Sequence, residues 1–340
     1  MKLYCYRGFE TDCQGRSQPL QLSRSFATVR ASLPQTTTCF TLRLSGKSKL
    51  TMFNATEILI QNFVERLREG YHRTYGGYKP DYADIIAWAG GMALENIANS
   101  DALYHNVEHT IGVTLVGQEI LRGKHIREGG ITCEDWLHFI ISLVCSDIGF
   151  VKGVCRQDRI EDNQFDSGTS KLVSLDPGAT DASLAPYHVD RSKLFVDERF
   201  SGHRLIVAEA IKRNIEYTRQ QSPNVEGYED TSSYPGLLRA ADLIGQLSDP
   251  RYLNKLGALY YEYEETGLNR ELGYQHAGDL RRSHSKQYWG VIYPAIENAL
   301  EYLSLTQEGK QIIANLYANV FVVEHDTSQA MSPSGIIKKR

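Results

Sequence analysis

The sequence predicts an all-α domain, and three observations carry that prediction. From Asn54 onward, apolar residues recur at helical three- and four-residue intervals. Strand-like alternation is scarce beyond residue 52, and neither a Gly-rich phosphate loop nor an internal repeat interrupts the pattern. The chain of 340 residues, 41% hydrophobic and 23% charged, is long enough to bury one large helical core.

Residues 1–51 stand apart. Between Cys13 and Thr56 there is no Asp or Glu, while Arg16, Arg24, Arg30, Arg43, Lys47 and Lys49 are all basic. No apolar stripe of helical period appears there. Three readings compete: an organellar transit peptide, a small β-rich piece built on TTTCFTLRLS, and sequence upstream of the true start. The third is favoured because Met52 is followed at once by a helix start, so residues 1–51 are expected to be a disordered or non-native extension. Residues 52–325 form the expected helical domain, and the tail at 326–340 is expected to be disordered.

Asn54 is placed to cap the first helix, with Glu57 three residues on in the manner of a capping box. Ile60, Phe63, Val64, Leu67 and Tyr71 follow at helical spacing, and GGYKP ends the run. A second helix is expected over 81–100, a third over 104–122 and a fourth over 134–149. Residues 156–200 are polar and broken by Gly, Pro and Ser, which predicts a long internal loop. Helices resume over 204–220. Pro235 opens another to Leu247, Asp249-Pro250 caps the next to Glu265, and two closing helices fit 288–304 and 306–323.

A net charge of −4 leaves no footprint for nucleic acid or an anionic membrane. No apolar run approaches the roughly 20 residues of a membrane span, and no secretory signal opens the chain. The six cysteines, at 5, 13, 39, 133, 145 and 155, form no CxxC pair. Reduced thiols in a cytoplasmic protein are the expectation.

Three features carry possible chemistry. In YHNVEHT, His105 and His109 stand at i and i+4, on one face if the segment is helical, which suits a shared metal ion or a pair of surface or capping histidines. In LVCSDIGF, Asp147 ends an apolar run, either presented to a cavity or turning into solvent. In LLRAADLIGQL, Asp242 lies in a helix apolar on most sides, where an unpaired carboxylate would cost a few kcal/mol. It is expected to meet Arg239, a backbone amide or a cation.

The order HNxxH, then an Asp 38 residues after His109, then an Asp within a later apolar helix, resembles the HD superfamily of metal-dependent phosphohydrolases. The likeness is to the catalytic domain of class I cyclic-nucleotide phosphodiesterases, on YHNVEH (104–109), CSDIG (145–149), IEYT (215–218), AADL (240–243) and the following helix DPRYLNKLGALYYEYEE (249–265). It spans roughly residues 80–305. The resemblance implies a helical bundle around one or two divalent ions, Zn, Mn, Fe or Mg. It implies His109, Asp147 and Asp242 as metal ligands and His105 as the general acid, kept charged by a neighbour such as Glu108. Tyr104 and Asn106 adjoin the substrate, and Gln287 is a purine-recognising candidate near the aromatic Tyr288, Trp289 and Tyr293.

Ser146 departs from the pattern, because the family places a His there, and Phe150 stands where class I enzymes carry a further His. A serine hydroxyl is a poor ligand for zinc or a transition metal, so three of four ligands remain. Loss of one direct ligand weakens binding about a hundredfold, ~3 kcal/mol. His138 lies about 12 Å along the helix from Ser146, too far to substitute. His188 and His203 are expected to pack or face solvent. The expected function is hydrolysis of a small phosphoester or nucleotide by metal-activated water. The alternative is a catalytically impaired domain that binds a nucleotide or a partner, and a purely structural helical module is the third reading.

Overall fold

Asn54 opens the first helix as its chemistry allows, its Oδ1 accepting from the N–H of Thr56 at 3.1 Å and of Glu57 at 3.3 Å. In the computed structural model, which describes residues 54–219 and 227–330, α1 (Ala55–Tyr75) lays Phe63, Leu67 and Tyr71 toward α2 (Asp81–Ile97). The helices that follow are α3 (Val107–Glu128), α4 (Cys133–Cys145), α5 (His188–Phe200), α6 (Ala208–Ile215), α7 (Tyr234–Leu247) and α8 (Tyr252–Thr266). α9 (Leu268–Leu272), α10 (Ala277–Gln287), α11 (Tyr293–Leu303) and α12 (Gln307–Ala330) complete the order. The strands among the described residues, β1 (Gln164–Asp166) and β2 (Leu172–Ser174), form one antiparallel hairpin with Phe165 opposite Val173. The architecture is all-α.

Several expected boundaries move, each for a local reason. α3 starts at Val107 because Asn106 caps it, so His105 precedes the helix instead of sharing its face. α4 stops at Cys145, and a short 3-10 turn at Ile148–Phe150 follows Asp147. The expected loop at 156–200 holds the hairpin, a 3-10 turn at Asp181–Tyr187 and all of α5. Its polar residues hid a helix whose buried face is Val189, Ser192, Phe195 and Val196. α9 and α10 were not anticipated, and a single π turn at Tyr288–Ile292 joins α10 to α11. α12 continues to Ala330, so the first residues of the expected tail are helical. The expectations for residues 1–51 and 331–340 lie outside the described residues.

α3 is buried around its circumference, with Val113, Val116, Ile120 and Leu121 alongside Thr110, Thr114 and Gln118. It packs against α4, α7 and α11. Its approach to α7 is backbone-close at Gly245, where a Cβ would lie 2.7 Å from Val113 Cα. That proximity brings the first turn of α3 to the middle of α7. Cys133, Cys145 and Cys155 are buried free thiols. Among the described residues no helix is long and apolar enough to cross a membrane.

α5 docks on the segment after α4 through a buried Arg191. Its guanidinium pairs with Asp158 at 2.9 and 3.0 Å and donates to the carbonyls of Gly149 (2.6 Å), Val151 (2.8 Å) and Asp166 (2.5 Å). A Cβ at Gly149 would lie 1.9 Å from the His188 carbonyl, so only glycine admits this contact.

Arg191→Met should lower stability by about 3–5 kcal/mol, because it removes the countercharge of the buried Asp158 carboxylate and leaves three carbonyls without their donor. Adding Asp158→Leu should recover none of that loss in urea unfolding, because the N–H groups of Gly153, Cys155 and Asp166 would then lose their acceptor. His284 is buried with neither ring nitrogen partnered, and burial lowers its pKa to about 4. Its folded value lies below the unfolded one, so its neutral form favours folding above about pH 6.5, and that contribution is lost as pH falls toward 4. Between pH 7 and 5 the wild type should lose roughly 2 kcal/mol more stability than His284→Phe.

Candidate metal centre and its cavity

The site begins with two helix ends. Asn106 caps α3, its Oδ1 accepting from Glu108 N at 3.0 Å and His109 N at 3.3 Å. This fixes His109 in the first turn, buried, with its Nε2 turned toward α7. At the end of α4, Ser146 keeps helical backbone angles and Asp147 leaves them. Asp147 Oδ2 then lies 3.2 Å from His109 Nε2, and Asp242 Oδ1, from α7, lies 3.5 Å from the same nitrogen. Donor atoms of all three residues fall within 4.8 Å of one another.

His109 Nε2 and Asp147 Oδ2 are buried and lack a hydrogen-bond partner of good geometry. Such atoms are rare in a folded interior unless something meets them. One imidazole and two carboxylates with room for water form a donor set that suits a catalytic divalent ion. The residues therefore fit the metal that the sequence resemblance implies. Without an ion, burial would push the His109 pKa down, but the adjacent carboxylates of Asp147 and Asp242 outweigh burial and hold it at about 10. The protonated ring in turn keeps Asp147 below the usual carboxylate range, against the effect of its own burial.

Ser146 contributes nothing to this cluster. Its hydroxyl donates back to Leu143 O at 2.9 Å, and its carbonyl accepts from Ser192 Oγ at 2.8 Å. Ser192 Oγ also accepts from Gly149 N at 2.9 Å, so α5 braces both sides of Asp147.

His105 sits beside the cluster, its ring centroid 5.2 Å from that of His109. Its Nδ1 meets Glu262 Oε2 at 2.5 Å, while Glu262 Oε1 accepts from Tyr104 N at 2.6 Å and His105 N at 3.1 Å. Burial would raise the Glu262 pKa, but the His105 charge and these hydrogen bonds hold it below the usual range. Glu108 does not take this part, as it pairs with Arg251 at 2.6 Å and Lys255 at 3.1 Å. His105 also stacks on Phe150 at 4.4 Å, and His188 stacks on the same phenyl ring at 4.6 Å.

His188 is buried, not surface-facing, with Nδ1 2.6 Å from Ala185 O. It lines a cavity of about 650 Å³ together with His105, Asp147 and Asp242. The backbone of the π turn and the start of α11 close one wall through Gly290, Ile292 and Pro294. The volume and polar lining suit a small molecule.

The structure brings His105, His109, Asp147 and Asp242 together, with buried Tyr104 against His109 at 5.2 Å. It does not bring the other candidates. Asn106 uses its Oδ1 on the α3 cap. Gln287 donates to Tyr274 at 2.7 Å and lies outside the cavity lining, Tyr288 is buried, and Trp289 bonds Glu324 at 2.7 Å. His138 accepts from Val207 N at 2.9 Å, and His203 stacks on Trp88. Glu262 was missed, though Leu256, Leu259 and Glu262 share one buried helical stripe, which marks it as Asp242 was marked.

No curated protein and no solved structure matches the chain. A family model described as Npun_R2479-like matches residues 53–326, from the first helix nearly to the end of the last. With that match covering most of its length, the chain belongs to the Npun_R2479-like family.

Proposed function

We propose that this chain is a divalent-metal-dependent phosphohydrolase acting on a small phosphoester, with nucleotides among the candidate substrates. The observation that carries the reading is the convergence of two buried atoms, His109 Nε2 and Asp147 Oδ2, 3.2 Å apart without a hydrogen bond of good geometry, with Asp242 at a cavity edge. The order of these residues in the sequence, which resembles HD phosphohydrolases, supports it independently. His109, Asp147 and Asp242 would hold the ion, Zn, Mn, Fe or Mg. When bound, such an ion supplies a water nucleophile at neutral pH and offsets phosphate charge.

The remaining chemistry belongs to the chain. Glu262 holds His105 by Nδ1, which fixes the ring and leaves Nε2 for the cavity. A histidine held in this way can carry a proton at Nε2 and deliver it to a leaving oxygen. Phe150 covers one face of that ring and limits water there. The three buried thiols without a disulfide fit a cytoplasmic setting.

A second reading, a domain that binds its ligand without turnover, is favoured by one observation: Ser146 turns its hydroxyl away from the cluster.

The purified protein should carry a divalent metal by elemental analysis and hydrolyse at least one member of a panel of cyclic nucleotides, nucleoside phosphates and an aryl phosphate. His109→Ala and Asp242→Ala should each lose both metal and activity, and a metal-free wild type inert across the panel sinks the reading. Ser146→His should raise metal affinity by tenfold or more if the cluster lacks only one ligand. Unchanged affinity in a folded variant would mean that the position no longer addresses the ion.

A further inference from the structure

Arg239 lies one helical turn before Asp242 on α7 and lines the same cavity. Its guanidinium carbon sits 4.3 Å from the centre of the Tyr228 ring. A cation over an aromatic face is held there without using a hydrogen-bond donor. Its Nε is buried and has no hydrogen-bond partner. The acid that the sequence offers as a partner, Asp242, faces His109 instead. Among the described residues Arg239 forms no ion pair.

Arg219, which lines the same cavity, shows the contrast. It pairs with Asp190 at 2.7 Å and with Glu216 at 2.6 Å, so its charge is already matched within the protein. An unpaired cationic N–H out of contact with water is costly unless an anion completes it. Arg239 is therefore the cation of this cavity that awaits a ligand.

Its placement says which part of a ligand it would meet. Arg239, Asp242, Leu243 and Gln246 follow the spacing of one helix face, and all four line the cavity. A rise of 1.5 Å per residue puts Arg239 about 4.5 Å along the axis from Asp242, with Gln246 about 6 Å beyond on the other side. An oxyanion held at the His109–Asp147–Asp242 cluster lies within the span of an arginine side chain from that position.

We propose that Arg239, held over the Tyr228 ring, is the anion clamp of the cavity and grips the phosphoryl oxygens of the group bound at the His109–Asp147–Asp242 cluster. The inference rests on the phosphohydrolase reading for the identity of that group. The planar fork of arginine matches two oxygens of a phosphoryl group, and the contact with the Tyr228 ring holds it in place before the ligand arrives. The ligand class is an unhindered phosphate monoester or diester.

The test is calorimetric titration of inorganic phosphate into Mn²⁺-loaded protein and into chelator-treated protein, for wild type, Arg239→Gln, Arg239→Lys and Tyr228→Leu. Arg239→Gln should weaken phosphate binding tenfold or more while metal content stays at the wild-type level. Arg239→Lys should fall between the two, since it keeps the charge and loses the fork, and Tyr228→Leu should lose a smaller part. Phosphate affinity within twofold of wild type in metal-loaded Arg239→Gln overturns the clamp. If Arg239→Gln does not fold, Arg239→Lys and Tyr228→Leu decide, and wild-type affinity in both overturns it. A wild type that takes up no metal, yet binds phosphate through Arg239, supports the clamp and overturns the phosphohydrolase reading alone.

Discussion

A guanidinium with no exposed surface must satisfy its donors inside the protein, and Arg191 does so by gathering segments far apart in sequence. It pairs with Asp158 and takes the carbonyls of Gly149, Val151 and Asp166. The chain after α4 is thereby tied to α5 at several points. Asp147 lies within that tied segment, and Ser192, one residue after Arg191, bonds on both sides of it. Burying the pair is expensive, and its net contribution to stability is modest even when every donor is met. What it provides is position: the carboxylate that faces His109 comes from irregular backbone, where helix geometry alone would not fix its direction.

The other two members of the cluster depend on regular structure. His109 is set by the Asn106 cap and the first turn of α3, and Asp242 by the middle of α7. Their separation follows from the close contact at Gly245. Two packed helices and one pinned loop therefore converge on a point, and the arrangement leaves two buried polar atoms facing each other across it. Without an ion, a proton on His109 offsets the two carboxylates, and a bound cation would take the place of that proton.

How much of this was legible in the sequence follows from what each residue interrupts. Asp147 and Asp242 were visible because each breaks an apolar run, and His109 because it repeats a histidine at helical spacing. The all-α class was visible in the periodicity from Asn54 onward. His188 was not visible, because α5 carries enough charge to read as part of a loop, and its role depends on a phenyl ring brought from after α4. Glu262 was masked by the polar, aromatic stretch YYEYEE, in which one buried acid looks like its neighbours. His105 was assigned to a helix that Asn106 does not let begin until Val107. Asn106 and Gln287 have side chains able to bind a substrate, but the cap and Tyr274 take their hydrogen bonds, and such local competition leaves no trace in spacing.

Phe150 carries an implication for how such a site can change over time. Its ring stacks on both His105 and His188, so two imidazoles from distant parts of the chain, each also held at Nδ1, share one aromatic support. Substitutions at either histidine would then have effects conditional on residue 150, and the three positions would be constrained to vary together. An aromatic spacer of this kind turns two separate residues into one heritable unit, and a conservative exchange within it can shift both without altering either.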